Sequence, residues 1–137
     1  MEKTLVLIKP KAVSRGLVGR IIKRYEDKGL NLAALRMIKA TADQLAMHYE
    51  EHKGKSFYDS LLETMQSGPL VALILEGEDA VSVVRSMNGA TDPVQAFPGS
   101  IRGDYGLEIE HNVVHGADSL SSAKREIPIW FPEESDV

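Results

Sequence analysis

The sequence contains no cysteine. Disulfides, thiolate nucleophiles and thiolate metal sites are thereby excluded, and the composition fits a cytoplasmic protein. Aromatic residues are scarce, 6% of the chain with a single tryptophan, so the 43% apolar content is mostly aliphatic. Long apolar runs are missing as well. Stretches such as Leu70–Leu75 are too short to cross a bilayer, and no membrane partner is expected. Met1-Glu2-Lys3-Thr4 passes straight into a strand-like run, with nothing resembling a signal peptide. Excess positive charge is also lacking: 16 Lys and Arg stand against 20 Asp and Glu, a net charge of −4. That balance disfavours a nucleic-acid partner. Charge asymmetry is only local. Lys9, Lys11, Arg15 and Arg20 make the start basic, and Glu133-Glu134-Ser135-Asp136 makes the tail acidic; both read as solvated surface.

What remains suits one domain over residues 1–137, large enough for a core of its own. Leu5-Val6-Leu7-Ile8 reads as a buried strand that Lys9-Pro10 leads into a loop. Leu17, Ile21 and Tyr25 recur at helical spacing and Gly29 sits where a C-terminal cap belongs, which predicts a helix over Ser14–Lys28. Leu30–Lys39 alternates as a strand. Thr41-Ala42-Asp43-Gln44 matches a capping box and opens a helix through about His52, followed by a shorter one over Ser56–Met65. Leu70–Glu76 is a fully apolar strand, and Asp79–Met87 a helix ended by Asn88-Gly89. Gly89–Gly106 has little periodicity and reads as a long functional loop. A strand at Asn112–His115 and a helix over Ser119–Ile127 follow. Without the inserted helices the order is βαββαβ. The expected fold is therefore α+β, a ferredoxin-like sandwich with a four-stranded antiparallel sheet and extra helices.

Chemistry-bearing motifs narrow the function less directly. Gly54-Lys55-Ser56 has the tail of a phosphate-binding P-loop, but Tyr49 occupies the position that needs the first glycine. His48 and His52 are four apart on an expected helix, without further ligands nearby, and read as structural or solvated. His111 and His115, also four apart, would lie about 13 Å apart on an extended segment and serve separate roles. His115 ends an apolar strand and precedes Gly116, which permits close backbone approach. A strand-end histidine is by itself more often a core or turn residue. Imidazole can nonetheless be a covalent nucleophile where a neighbour fixes its tautomer, and Glu126 is a candidate for that neighbour. Lys9, Arg85, Arg102, Thr91 and Asn112 stand at expected element ends, where cations and polar groups can neutralise phosphate. Phe57 could stack on a base or pack in the core with Leu61.

Taken together, Leu7-Ile8-Lys9-Pro10, Arg15-Gly16-Leu17-Val18-Gly19, Ser67-Gly68-Pro69, Gly89-Ala90-Thr91-Asp92-Pro93, Pro98–Asp104 and Asn112–Ser119 resemble nucleoside diphosphate kinases in order and spacing. The resemblance extends through Trp130-Phe131-Pro132-Glu133-Glu134. It implies transfer of the γ-phosphoryl group of a nucleoside triphosphate (ATP, GTP and others) to a nucleoside diphosphate. The route is ping-pong, through a phosphohistidine, with Mg²⁺ carried mainly by the nucleotide phosphates and no protein-only metal site. On this resemblance His115 attacks through Nδ1, supported by Glu126. Lys9, Arg85, Arg102 and Thr91 hold phosphates, Tyr49 lies near the transferring group, and Asn112 with Lys9 meets the ribose. Phe57 stacks on the base beside Leu61. The resemblance also implies a homo-oligomer built from dimers, a hexamer rather than a tetramer.

Four positions depart from the family pattern. Lys11 stands where aspartate is usual, and Lys55-Ser56 where Arg-Pro is frequent. Ala117 replaces a common serine whose hydroxyl would steady the glutamate, so Glu126 is expected to be less constrained and catalysis reduced. The main alternative is a catalytically impaired nucleotide-binding or interaction module on the same fold. An RNA-binding βαββαβ sheet is disfavoured because the strands lack stacking aromatics.

Overall fold

The computed structural model describes residues 1–134, so Ser135 and Asp136 of the acidic tail lie outside the described residues. Four strands, β1 (Glu2–Ile8), β2 (Asn31–Ile38), β3 (Leu70–Gly77) and β4 (Val114–Gly116), form one antiparallel sheet in the order β2-β3-β1-β4. Among the described residues there are seven α-helices, six between the strands and one after the last: α1 (Pro10–Ser14), α2 (Val18–Lys28), α3 (Ala42–His48), α4 (Tyr58–Met65), α5 (Ala80–Asn88), α6 (Ile101–Tyr105) and α7 (Leu120–Trp130). This is the ferredoxin-like α+β architecture expected from the sequence.

The unbroken apolar runs follow from coverage of both sheet faces. Successive side chains of a strand point to opposite sides. Val6 and Ile8 of β1 join Val71, Leu73 and Leu75 of β3 in a core closed by Ile21 and Tyr25 of α2 and Val84 of α5. Leu5 and Leu7 join Ala72 and Ile74 in a second core, closed by Leu45 of α3, Met65 of α4, and Ile127 and Trp130 of α7. The central pair β1 and β3 therefore has no solvent face. Edge strand β2 differs: Leu35 and Met37 are 56% and 57% exposed, while Ala34, Arg36 and Ile38 are half-buried.

Several boundaries differ from expectation, each for a local reason. The helix expected over Ser14–Lys28 starts only at Val18, and the segment after Lys9-Pro10, expected as a loop, is the separate helix α1. Pro10 suits a first helical turn, and Gly16, at φ +73°, turns the chain before α2. The capping box at Thr41 forms, with Gln44 N–H donating to Thr41 Oγ1 and Thr41 N–H to Gln44 Oε1. That helix stops at His48, and Glu50–His52 is a 3-10 turn. The supposed loop 89–106 contains α6, whose cap is the Ser100 hydroxyl. Helix α7 is capped by Ser119 and runs past Pro128 to Trp130.

Candidate active site

Strand β4 is only three residues long, and its start is strained. Val113, expected within the strand, has φ 76°, a conformation that a β-branched side chain rarely adopts. Three consecutive carbonyls hold it there. Asn112 O accepts from Val114 N–H and Arg102 Nε, Val113 O from Lys9 N–H, and Val114 O from an Arg102 Nη. Such strain persists only where surroundings over-determine it, commonly at functional sites. It invalidates the extended-segment spacing used for His111 and His115, since Ile109–His111 is also a 3-10 turn.

His115 lies opposite Leu7 of β1 and opens onto a cleft of about 620 Å³. All ten residues singled out from the sequence line this cleft: Lys9, Tyr49, Phe57, Leu61, Arg85, Thr91, Arg102, Asn112, His115 and Glu126. They come from β4, which carries His115, from α4, α5, α6 and α7, and from the connections between elements, Lys9 directly after β1. Lys11, by contrast, is exposed, and among the described residues it joins no ion pair.

The imidazole is oriented from behind. Nε2 of His115 and Oε1 of Glu126 are 2.7 Å apart. With the neutral ring donating Nε2–H to the carboxylate, Nδ1 is left with its lone pair. Burial, then Lys9, Arg102 and Arg85, hold the His115 pKa well below the usual imidazole range, so the ring is neutral at ordinary pH. Burial raises the Glu126 carboxyl, and this group is 4% exposed.

Lys9 Nζ donates to Asn112 Oδ1 at 2.6 Å, and Asn112 Nδ2 donates to the Thr91 carbonyl at 3.0 Å. Burial, followed by repulsion from Arg102, lowers Lys9 to about 8. Arg102, expected simply to hold phosphate, is first a structural clamp. Nε and one N–H of each terminal nitrogen reach the carbonyls of Asn112, Gly89 and Val114. A guanidinium has five N–H groups, so two remain for a ligand. Phe57 is 48% exposed and lines the cleft, and so is not the core residue of the alternative reading.

His48, read from the sequence as structural or solvated, is structural, and its place against His115 is visible only in the fold. It is buried, and its ring packs edge-on against His115 with centroids 4.4 Å apart. Nδ1 accepts from Trp130 Nε1 at 3.0 Å, which puts the proton of the neutral ring on Nε2. Helix α3 ends there, so His48 turns inward while His52 lines the cleft near Lys55. No local signal separates the two histidines; a buried Trp130 on α7 does. Donor atoms of His48, His115 and Glu126 lie within 4.8 Å of one another. They read as a hydrogen-bonded cluster, because Trp130 engages His48 and Glu126 engages His115.

A neutral, oriented imidazole facing three cations, on a ferredoxin-like sheet, defines a phosphate-handling site with a nitrogen nucleophile. Comparison with known proteins carries this further. The nucleoside diphosphate kinase family model matches residues 2–135. A nucleoside diphosphate kinase of Thermoanaerobacter sp. (strain X514) is 55% identical over 133 residues, covering 97% of this chain and 98% of that protein. One from Mycobacterium avium (strain 104) is 57% identical over 133 residues, covering 96% and 98%. The solved structure of a halophilic nucleoside diphosphate kinase from Halobacterium salinarum in complex with CDP aligns with TM-score 0.93 at 42% identity, covering 95% of this chain and 87% of that one. The chain belongs to the nucleoside diphosphate kinase family.

Proposed function

We propose that this phosphotransferase moves the γ-phosphoryl group of a nucleoside triphosphate to a nucleoside diphosphate through a phosphohistidine at His115. The observation that carries the reading is the 2.7 Å contact that leaves His115 Nδ1 as the free nitrogen in a cleft with Lys9, Arg85 and Arg102. In the first half-reaction Nδ1 attacks the γ-phosphorus, the P–N bond forms, and the bond to the leaving diphosphate oxygen breaks. Glu126 accepts Nε2–H and stabilises the positive ring as it develops. In the second half-reaction a terminal oxygen of the acceptor diphosphate takes the phosphoryl group and restores the neutral imidazole. Lys9, Arg85 and the free Arg102 N–H groups balance phosphate charge, which in phosphoryl transfer supplies most of what a protein can contribute.

Tyr49 Oη is buried with no partner among the described residues, which suits a hydrogen bond to the transferring group. Asn112 and Lys9 would meet the ribose, Thr91 a phosphate, and Phe57 with Leu61 the base. Mg²⁺ prefers several oxygen ligands and retains waters. Glu126 is engaged by His115, whereas Asp118 is exposed and lines the cleft, so the donor set fits a metal carried by the nucleotide phosphates and steadied by Asp118. Such an ion supplies further charge neutralisation.

A homo-oligomer is part of the proposal. Leu35 and Met37 face solvent on the sheet edge, and Val94, Phe97 and Leu107 are 75%, 84% and 83% exposed. These exposed apolar residues suit subunit contacts in dimers assembled into a hexamer, and residues 1–137 act as one domain in each subunit. Light scattering on the purified protein would distinguish six subunits from four. A cytoplasmic location agrees with the absence of cysteine. The function is tested with γ-labelled ATP and Mg²⁺: acid-labile, base-stable label should appear on the protein and be chased by any nucleoside diphosphate. Wild-type protein that takes up no label overturns the reading.

A further inference from the structure

The nucleophile is oriented by Glu126, which raises the question of what orients Glu126. The carboxylate side chain is 5% exposed, so neither oxygen can depend on bulk water. Oε1 faces His115 at 2.7 Å. Around Oε2 the supply of donors is thin. The hydroxyls at the start of α7 are engaged elsewhere: Ser119 Oγ accepts from Ser122 N–H, and Ser122 Oγ donates to Asp118 Oδ1. Residue 117 is alanine and offers none. Oε2 does have one cationic neighbour, an Arg125 Nη at 3.5 Å.

Arg125 reaches further than its neighbour on the helix. Its two terminal nitrogens donate to the carbonyls of Met47, at 3.0 Å, and His48, at 3.4 Å, at the end of α3. Those carbonyls belong to the turn that presents His48 and Tyr49, and His48 packs on His115. A single guanidinium thus joins the carboxylate behind the nucleophile to the wall beside it. Its planar fork suits this bridging, which a lysine could only partly reproduce.

We infer that Arg125 is a positioning residue for phosphoryl transfer, acting through Oε2 of Glu126 and the α3 carboxyl end to hold the His115 ring in one orientation and tautomer. The inference rests on the reading of His115 as nucleophile. Removing Arg125 leaves Oε2 without a cation and frees the α3 terminus, so His115 should sample other orientations and the chemical step should slow. Arg125 is absent from the cleft lining, and nucleotide affinity should therefore change little.

The test is kinetic and spectroscopic, on the full chain. Arg125→Met should lower kcat about tenfold with KM within about twofold, and Arg125→Lys should recover part of the loss. In ¹⁵N spectra of the imidazole, wild-type His115 should show one tautomer with the proton on Nε2, and Arg125→Met a mixture. In a Glu126→Gln background, Arg125→Met should cost little more, because both changes act on one arrangement. The inference is overturned by unchanged kcat, by a loss confined to KM, by an unaltered tautomer signature, or by full additivity with Glu126→Gln. If Arg125→Met does not fold, Arg125→Lys and its additivity with Glu126→Gln decide. Failure of the parent reading is separable, since wild-type protein would then take up no phosphoryl label at all.

Discussion

At the floor of the cleft, Lys9, Arg102, Asn112 and Glu126 are only 4–8% exposed, and each polar head has a protein partner. At the rim, Phe57 and Ile109 are 48% and 58% exposed. Floor residues are fixed by tertiary hydrogen bonds, Arg102 and Asn112 to backbone carbonyls and Lys9 and Glu126 to side chains, and by a strained turn at Val113; rim residues sit on short turns. The difference matches what a nucleotide presents to each end. Phosphates are common to every substrate and need rigid charge and a fixed nucleophile. Bases vary, and stacking against an aromatic face tolerates that variation because every base has one. Discrimination among isosteric shapes requires directional polar groups left unpaired by the wrong ligand.

Breaking the floor should have the largest consequence. His115→Ala should abolish label uptake from γ-labelled ATP and lower turnover by on the order of 10⁴-fold or more. Equal labelling of the variant would move the nucleophile elsewhere. Next in size is Lys9→Met, for which a loss of about 10²-fold in kcat is expected from removing one charge-stabilising donor.

Lys9 also gives the floor a measurable proton. Its pKa is lowered to about 8 in the free protein, by burial and by Arg102. Bound phosphate favours the ammonium, so nucleoside diphosphate binding near pH 9 should take up close to one proton per site. Calorimetry in buffers of different ionisation enthalpy reads this directly, and Lys9→Met should remove it. KM should rise as pH climbs through the Lys9 range. The sign for stability is opposite. Between about 8 and the ordinary lysine value the unfolded chain binds the extra proton, so the nucleotide-free fold gains stability as pH rises there. Uptake equal in wild type and variant would assign the proton to another group.

The same contrast explains how much was legible in the sequence. Strands β1 and β3 announce themselves because both faces are covered, which makes them continuous apolar runs. The cap at Thr41 is local side-chain chemistry and forms where the motif stands. Of the ten cleft residues, Lys9, Thr91, Arg102, Asn112 and His115 lie in short motifs. Tyr49, Phe57, Leu61, Arg85 and Glu126 lie outside them and are legible only through element position or the family resemblance; only the fold brings the ten together. Val113 was not legible: its side chain favours a strand, and the positive φ is imposed by Lys9 and Arg102, distant in sequence and near in space. That His48 packs on His115 was not legible for the same reason, since its inward turn depends on Trp130. Leu35 and Met37 reverse the usual inference, being apolar residues on the outward face of an edge strand.

At the rim, Phe57→Ala should raise KM about tenfold for every nucleotide tested, by the loss of one stacking contact, and leave kcat nearly unchanged. Competition among ATP, GTP and CTP sharpens the comparison. A uniform change supports a rim without directional readout, whereas a loss confined to one base would reveal a specific contact there.

The smallest expected effect belongs to the floor's own strain. Val113→Gly should relieve about 1–3 kcal/mol of unfavourable backbone conformation. It also removes a side chain that is 2% exposed in the core, a loss of about 1.5–3 kcal/mol. Glycine further loosens the unfolded chain, which works against the fold. These terms nearly cancel, so the urea midpoint should shift by no more than about 1 kcal/mol equivalent at unchanged m-value. Phosphorylation of His115 should slow nonetheless, because the residue two positions before it no longer resists rotation. A variant much less stable yet fully active would mean that Val113 serves packing alone, and that its unusual backbone does nothing for the histidine it precedes.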